Sequence, residues 1–215
     1  MLSLIGDLMS NYNIQIGSAQ ISSNRGLLRA LSNQVKQMFR KSQIPLRTKI
    51  RLIVKQALIN CPEVESLRSG TLKYDFGLVS DYTDLLVNNI SEAIEIEYKP
   101  IQISFSGVSS ALVIYINGQW LDTITKSSYW AYIPTENGQL PWLDWLLTAG
   151  DSVVVAGYSV AYGNWGRSGG AIMLKYNNFQ VNPQYSGTIT DNFLTRAIEK
   201  NQDQIEQALK DFSYG

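Results

Sequence analysis

The chain has 215 residues, 45% hydrophobic and 11% aromatic, the composition of a folded protein rather than a disordered one. It has no histidine and one cysteine, Cys61, which excludes an intrachain disulfide, a thiol metal cluster and any mechanism resting on an imidazole base. The net charge of zero conceals a polarity: residues 1–73 hold eleven Lys or Arg against three acidic residues, and the remainder holds seven against fifteen. Such polarity suits head-to-tail stacking on a copy or partner, or a basic surface facing a polyanion; the alternative is helices carrying their charges on solvated faces.

Met1 to Ser10 contains Leu2, Leu4, Ile5 and Leu8 but neither a basic start nor a small-residue cleavage site, unlike a signal peptide. Asn11 to Ser18 alternates Tyr12, Ile14 and Ile16, three apolar side chains on one face of an edge strand or arm. Leu27, Leu28, Leu31, Val35, Met38 and Phe39 then recur at helical spacing behind the N-cap candidates Ser22, Ser23 and Asn24, predicting a helix over 24–42. Pro45 suits the first turn of a second helix, whose stripe is Leu46, Ile50, Ile53, Val54, Ala57 and Leu58 and which Pro62 stops.

Both helices carry cations in rows: Arg25, Arg29, Lys36 and Arg40 on the first, and Arg47, Arg51 and Lys55 at four-residue intervals on the second. Like charges at that spacing repel, and a phosphate backbone or an acidic protein surface would offset the cost. No aromatic interleaving or base-reading motif accompanies them, which argues against sequence-specific nucleic-acid binding.

A link over 69–76 leads to a third predicted helix from Asp81 to Ile94, with Leu85, Leu86, Asn89, Ile90 and Ala93 inward. Ile94, Ile96 and Tyr98 alternate, Pro100 interrupts, and Ile101, Ile103 and Phe105 resume the period of two. Ala111 to Ile116 runs into Asn117-Gly118, a hairpin signal, with Trp120 and Leu121 starting the return strand. Leu140 to Thr148 reads as a short helix led by Pro141, anchored by Trp142, Leu143, Trp145 and Leu146. Val153 to Tyr162 and Ala171 to Tyr176 are predicted strands. The apolar stretch Trp142 to Val160 is broken by Asp144, Gly150, Asp151 and Gly157, short of the roughly 18 to 20 apolar residues that cross a bilayer. The expectation is a soluble intracellular protein without membrane contact.

A polar helix over Asp191 to Phe212, facing inward with Leu194, Ala197, Ile198, Ile205, Ala208 and Phe212, closes the chain. The order predicts one α+β domain: a mainly antiparallel sheet with N-terminal helices and a C-terminal helix. Within it, 1–20 is an arm, 21–73 a basic helical part and 74–215 a mixed β part with the terminal helix.

Gly166-Arg167-Ser168-Gly169-Gly170 matches the pattern of a hydrolase nucleophile elbow. A serine hydroxyl needs a base, however, and this segment lies in a glycine-rich loop, 163–170, between two strands rather than between strand and helix. Nor does the loop have the Lys-Ser/Thr ending of a phosphate-binding loop or the spacing of a dinucleotide site. It reads as a hairpin tip whose Trp165, Arg167 and Ser168 are contact residues. Asp81, Asp84, Glu92, Glu95 and Glu97 are spread around a helix end and along a strand, a solvated face rather than a metal site. Cys61 reads as a buried, unreactive thiol. Trp120, Trp130, Trp142, Trp145 and Trp165 could form a sugar-stacking platform, with Tyr129, Trp130 and Trp165 in loop-like contexts. That makes an aromatic carbohydrate-binding module, of a tail fibre or a cell-wall protein, the second reading. The expectation is of no catalytic residue, no metal and no cofactor.

Three ordered stretches carry a resemblance. Cys61-Pro62-Glu63-Val64-Glu65-Ser66-Leu67-Arg68-Ser69-Gly70-Thr71-Leu72 is similar to the S-P-E-x-x-S-L-x-x-G-x-L region of neck or tail-completion proteins of tailed bacteriophages, with Cys61 in place of serine. Leu140 to Asp151 resembles their L-P-W-L-E-W-L-L segment. Gly166 to Met173, followed by Tyr185 to Thr188 and Asp191 to Ile198, is the third match, with Ser168-Gly169 in place of the more familiar Arg-Thr-Gly. The resemblance implies a ring-forming virion protein at the head–tail junction, made in the host cytoplasm. Its implied partners are further copies of itself, connector or portal-side proteins, tail-tube proteins, and DNA touched without sequence preference in the lumen. It implies no catalytic role. Two unlike surfaces, as a head-to-tail ring needs, are consistent with the charge polarity, and Asn117-Gly118 and the loop over 163–170 are the expected reaching elements.

Overall fold

The computed structural model describes residues 10–16, 25–104, 107–135 and 138–213. A single helix, α1 (Arg25–Ile59), runs for 35 residues, about 52 Å at 1.5 Å per residue. The two helices predicted from the sequence are therefore one, with Pro45 inside. Proline removes one backbone hydrogen bond and crowds the preceding turn, yet packing on both sides keeps the helix in register. Leu28 and Val35 before it and Leu46, Ile50, Val54 and Leu58 after it are buried along one face. Phe39 stacks on Tyr98 at 4.2 Å, and the Ser42 hydroxyl is 3.1 Å from the Tyr98 hydroxyl. Lys41, whose carbonyl loses its helical partner to the proline, is exposed.

The helix α2 (Pro62–Ser69) follows, with Pro62 in its first turn, and α3 (Thr71–Asp75) occupies what the sequence reads as a link. The Leu72 amide donates to the Ser66 hydroxyl at 3.0 Å, so α2 itself caps the turn that starts α3. Next comes α4 (Thr83–Glu92), which buries Leu86 and Ile90 with Ala93 just beyond its end. Leu85, expected inward, is 39% exposed, because it stands about 100° around the helix from Leu86.

The strands β1 (Ser10–Ile16), β2 (Ile94–Tyr98), β3 (Gln102–Ser104) and β4 (Gly107–Ile116) form an antiparallel sheet centred on β4. Along one edge of β4 runs β1, with Tyr12 opposite Leu112; along the other come β2, with Ile96 opposite Ile114, and then β3. Ile94, Ile96, Leu112, Ile114 and Ile116 bury their side chains beneath α1 and its neighbours.

The expected hairpin at Asn117-Gly118 is a helix start: α5 (Gly118–Ser127) follows, and Asn117 Oδ1 accepts from the Trp120 amide at 3.2 Å. An asparagine after a strand serves as an N-cap as readily as a turn residue, and Leu121, Ile124 and Thr125, all buried, carry the helical period. A 3-10 turn at Tyr129–Ala131, the hairpin β5 (Ile133–Thr135) and β6 (Gly138–Leu140), and α6 (Trp142–Thr148) come next. The predicted strand over 153–162 divides into β7 (Val153–Val155) and β8 (Tyr158–Tyr162) at Gly157, whose φ of +77° favours glycine. Antiparallel ladders join β8 to β9 (Ala171–Lys175) and β7 to β10 (Phe179–Gln180).

The predicted terminal helix is two, α7 (Phe193–Lys200) and α8 (Gln202–Ser213), which break at Asn201 (φ −110°, ψ 17°). Asn192 and Thr195 form a reciprocal capping box at the start of α7. Leu194, Ala197, Ile205 and Ala208 are buried, as the period requires, and Ile198 is half-buried; the Phe212 side chain lies outside the described residues. One buried cluster runs from Leu46 on α1 to Ile205 on α8, through the sheet and α6. The fold is α+β, its strands antiparallel, with helices at the N-terminal side and a helix pair at the C-terminal side.

Candidate interface surfaces

The basic rows of α1 have two different fates. Arg47 Nη1 pairs with Glu95 Oε2 at 3.1 Å, and Arg51 reaches Glu92 and Glu95 while its Nε donates to the Ile94 carbonyl at 3.0 Å. The repulsion expected within this row is thus offset by the chain's own carboxylates, Glu92 at the end of α4 and Glu95 on β2. Glu92 and Glu95, which the sequence reads as a solvated face, are its counter-charges, and Glu97 pairs with Lys99. Asp81 and Asp84 share one cation, Arg68, at 3.4 and 3.1 Å. Lys55 is half-buried. Arg29, Lys36 and Arg40 are exposed and, among the described residues, have no ion-pair partner. The Arg25 side chain lies outside the described residues.

The glycine loop between β8 and β9 folds back on the protein instead of reaching out. Arg167 Nε donates to the Gly77 carbonyl at 3.1 Å and its Nη1 to the Pro134 carbonyl at 2.6 Å. Gly170 lies against Tyr74 so closely that a Cβ there would fall 2.2 Å from the ring. Trp165 lies over Gly163 and stays 54% exposed. The Ser168 hydroxyl is enclosed and, among the described residues, has no hydrogen-bond partner, so no base stands in place to take its proton.

Beneath the loop a cavity of about 280 Å³ opens between α3 and the β8–β9 hairpin, with Asp75, Tyr74, Leu140, Arg167 and Met173 in its wall. At its edge the Tyr162 hydroxyl donates to Asp75. Burial raises the Asp75 carboxyl above the ordinary carboxylate range while the Tyr162 bond pulls it back. Neither residue is marked in the sequence by more than an aspartate set among the aromatics Tyr74 and Phe76. A second cavity, of about 230 Å³, has an apolar floor of Ile116, Leu121, Leu147 and Leu194, with Lys126 and Asp144 at its rim.

The other candidates separate by exposure. Tyr129 is 78% exposed and available for contact, whereas Trp130 is buried at 4%, its carbonyl accepting from Trp142 Nε1 at 2.8 Å. Trp130 is therefore a core residue rather than a contact anchor. Asn117 and Gly118 are occupied in starting α5 rather than in a projecting tip. Of the described ring pairs, none involves Tyr129 or Trp165.

Cys61 is buried, its thiol donating to the Ala57 carbonyl at 3.3 Å. Burial first, and then Glu63, push that thiol up to about 11 against the opposing Lys200 and Arg196, which removes thiolate character at neutral pH. Among the described residues no group of three His, Cys, Asp or Glu is placed to hold a metal ion, and no helix is long and apolar enough to cross a membrane. Comparison with known proteins returns no matching family, no matching curated protein and no matching solved structure.

Proposed function

We propose that this chain is a structural virion subunit of the neck or tail-completion ring that joins a phage head to its tail, acting by protein–protein assembly around the DNA channel. The observation that carries the reading is how the three resembling stretches meet. Segment 61–72 forms α2 and the start of α3, segment 140–151 contains α6, and the third match takes in most of the glycine loop and most of α7. They are far apart in sequence but joined by specific contacts. Arg196 Nη2 bonds Glu63 Oε1 at 2.8 Å and the Gly150 amide bonds the Gly187 carbonyl at 2.9 Å, so the third match touches each of the other two. Stretches that resemble a family at three separate places in the sequence are thus held together through α7 and the turn before it, which supports reading them as one unit. Trp142 and Trp145 anchor α6, Trp142 within the core, while Tyr129, Trp165 and Arg167 are exposed and available for contact.

The test is mass photometry with negative-stain imaging of the purified chain, alone and mixed with phage connector and tail-tube proteins. Ring-shaped particles are the expected result. A chain that stayed monomeric in every mixture would overturn the proposal.

A further inference from the structure

The ion pairs leave the two ends of α1 with opposite and unspent charge. No Asp or Glu occurs between Leu8 and Pro62, and Arg29, Lys36 and Arg40 in the N-terminal half of the helix are exposed without ion pairs among the described residues. The C-terminal end lies about 45 Å from Arg29 by helix rise. There Asp81 and Asp84 pair with a single guanidinium, Arg68, and all three carboxylates of Glu65, Asp81 and Asp84 are exposed. Glu65 precedes Arg68 by three residues on α2, so the two are neighbours on its surface. One cation paired with two carboxylates, with a third carboxylate beside it on α2, leaves that face acidic.

Each end also exposes apolar surface beside its charges. Ile44, 68% exposed, follows Arg40 by four residues and so shares its face of α1, while Val79 and Leu85, 57% and 39% exposed, flank Asp81 and Asp84. A contact combining buried apolar groups with opposite charges around them is the usual make-up of a specific interface.

We infer that copies of this chain associate head to tail, the Lys36–Arg40 end of α1 in one copy seating on the Glu65–Asp81–Asp84 face of the next. The protein already makes this contact once within itself. Arg47 and Arg51, four residues apart, grip Glu92 at the end of α4 and Glu95 on β2; Lys36 and Arg40 repeat the spacing one stretch earlier on the same helix and lack an acidic partner among the described residues. A zero net charge lets copies approach without overall repulsion. The contact is heterologous, each subunit using two unlike faces, and such contacts close into rings or grow into filaments. This inference rests on the ring reading above and names the faces through which the ring closes.

The experiment uses two charge reversals, K36E/R40E and E65K/D84K, leaving Asp81 in place because it accepts from the Thr83 amide at the start of α4. Circular dichroism first confirms that both variants melt like the wild type, and particle size is then measured at equal concentration, with connector and tail-tube proteins added if the chain assembles only on them. Each variant alone is expected to self-associate at least tenfold more weakly than the wild type. An equimolar mixture is expected to recover association, because the reversed end of one then meets the reversed face of the other. The wild-type assembly is also expected to weaken as salt rises from about 0.05 to 0.5 M, where screening shortens to a few ångströms. Variants that assemble like the wild type, or a mixture that recovers nothing, overturn these faces while leaving the ring reading standing. A wild-type chain monomeric under every condition overturns the ring reading itself, and the inference with it.

Discussion

The Tyr162 hydroxyl donates a hydrogen bond to the Asp75 carboxylate, fastening the β8–β9 hairpin to α3 across 87 residues of sequence. Asp75 is 6% exposed. Burial, then the bond to Asp75 and its negative charge, hold the Tyr162 hydroxyl far above the usual phenol range, so it remains a donor throughout the neutral range. Removing the hydroxyl with Tyr162→Phe leaves a buried carboxylate short of a partner and is expected to cost about 1–3 kcal/mol at neutral pH.

The pH dependence follows from the sign of the Asp75 shift. Its carboxyl is raised in the folded state by burial, so the folded protein takes up this proton before the unfolded chain does, and acidification favours folding at this site. Tyr162→Phe removes the one contact that lowers the value. The deficit of the variant is therefore expected to be largest at neutral pH and to shrink as pH falls through the folded-state value. Urea unfolding of both proteins from about pH 7 to pH 4.5 reads this directly, and a deficit constant across the range contradicts it.

Trp142 is 1% exposed, and its indole N–H meets the Trp130 carbonyl at 2.8 Å. Trp142→Phe removes both part of a core ring and the donor to a buried oxygen, an expected loss of about 2–4 kcal/mol. Trp145→Phe, at a half-buried position three residues on, is expected to lose under about 1 kcal/mol. Equal losses for the two, measured by chemical denaturation, contradict the placement of Trp142 as the anchor of α6.

Pro45 gives a prediction of the opposite sign. The residues around it hold helical geometry without the backbone bond that proline removes, so Pro45→Ala restores that bond where the conformation already exists. An increase of about 1–3 kcal/mol in stability is expected, since proline costs roughly 3 kcal/mol relative to alanine inside a helix and tertiary packing has already absorbed part of it. A destabilised Pro45→Ala would mean that α1 is not continuous through residue 45.

Where side chains repeat with a clear period, the sequence sufficed: the stripe over 46–58, the alternation of Ile94, Ile96 and Tyr98, and the anchor at Trp142 all stand where the pattern puts them. It misled where one local signal has two uses. Pro45 starts helices and also survives within one when both sides are buried, and Asn117-Gly118 turns hairpins and also caps α5. Gly157 and Asn201 divide elements that their apolar content alone would run together. Site geometry was the least legible. That Arg47 and Arg51 answer Glu92 and Glu95 depends on laying the end of α4 and β2 against α1, and no spacing within either segment encodes that approach. Arg167 likewise reads as a free cation until the loop folds back onto the carbonyls of Gly77 and Pro134.

Asn117 separates the two meanings of its motif experimentally. As the N-cap of α5 it is expected to lose about 1 kcal/mol on conversion to alanine and much less on conversion to aspartate, whose oxygen accepts the same Trp120 amide bond. A two-residue hairpin turn makes a different demand, φ above zero at the first turn position, whereas Asn117 has φ −65°. A large loss with aspartate would reopen the hairpin.

Arg196 joins α7 to α2 through Glu63, which is 4% exposed, and also bonds Asp191 at 2.8 Å. The pair is unequal, since the guanidinium keeps 38% of its side-chain surface in water while the carboxylate keeps 5%. Removing the cation therefore costs more through the carboxylate it abandons than through any attraction lost in solvent. Arg196→Met is expected to lose about 2–3 kcal/mol, below the 3–5 kcal/mol of a fully buried pair because water reaches the arginine side. Arg196→Lys, a point charge without the fork that spans both Glu63 and Asp191, is expected to fall between the variant and the wild type. Adding Glu63→Gln to Arg196→Met neutralises the abandoned group and is expected to recover more than half of the loss. A double variant no more stable than Arg196→Met alone would show that packing of the arginine stem, rather than its charge, holds α7 against α2.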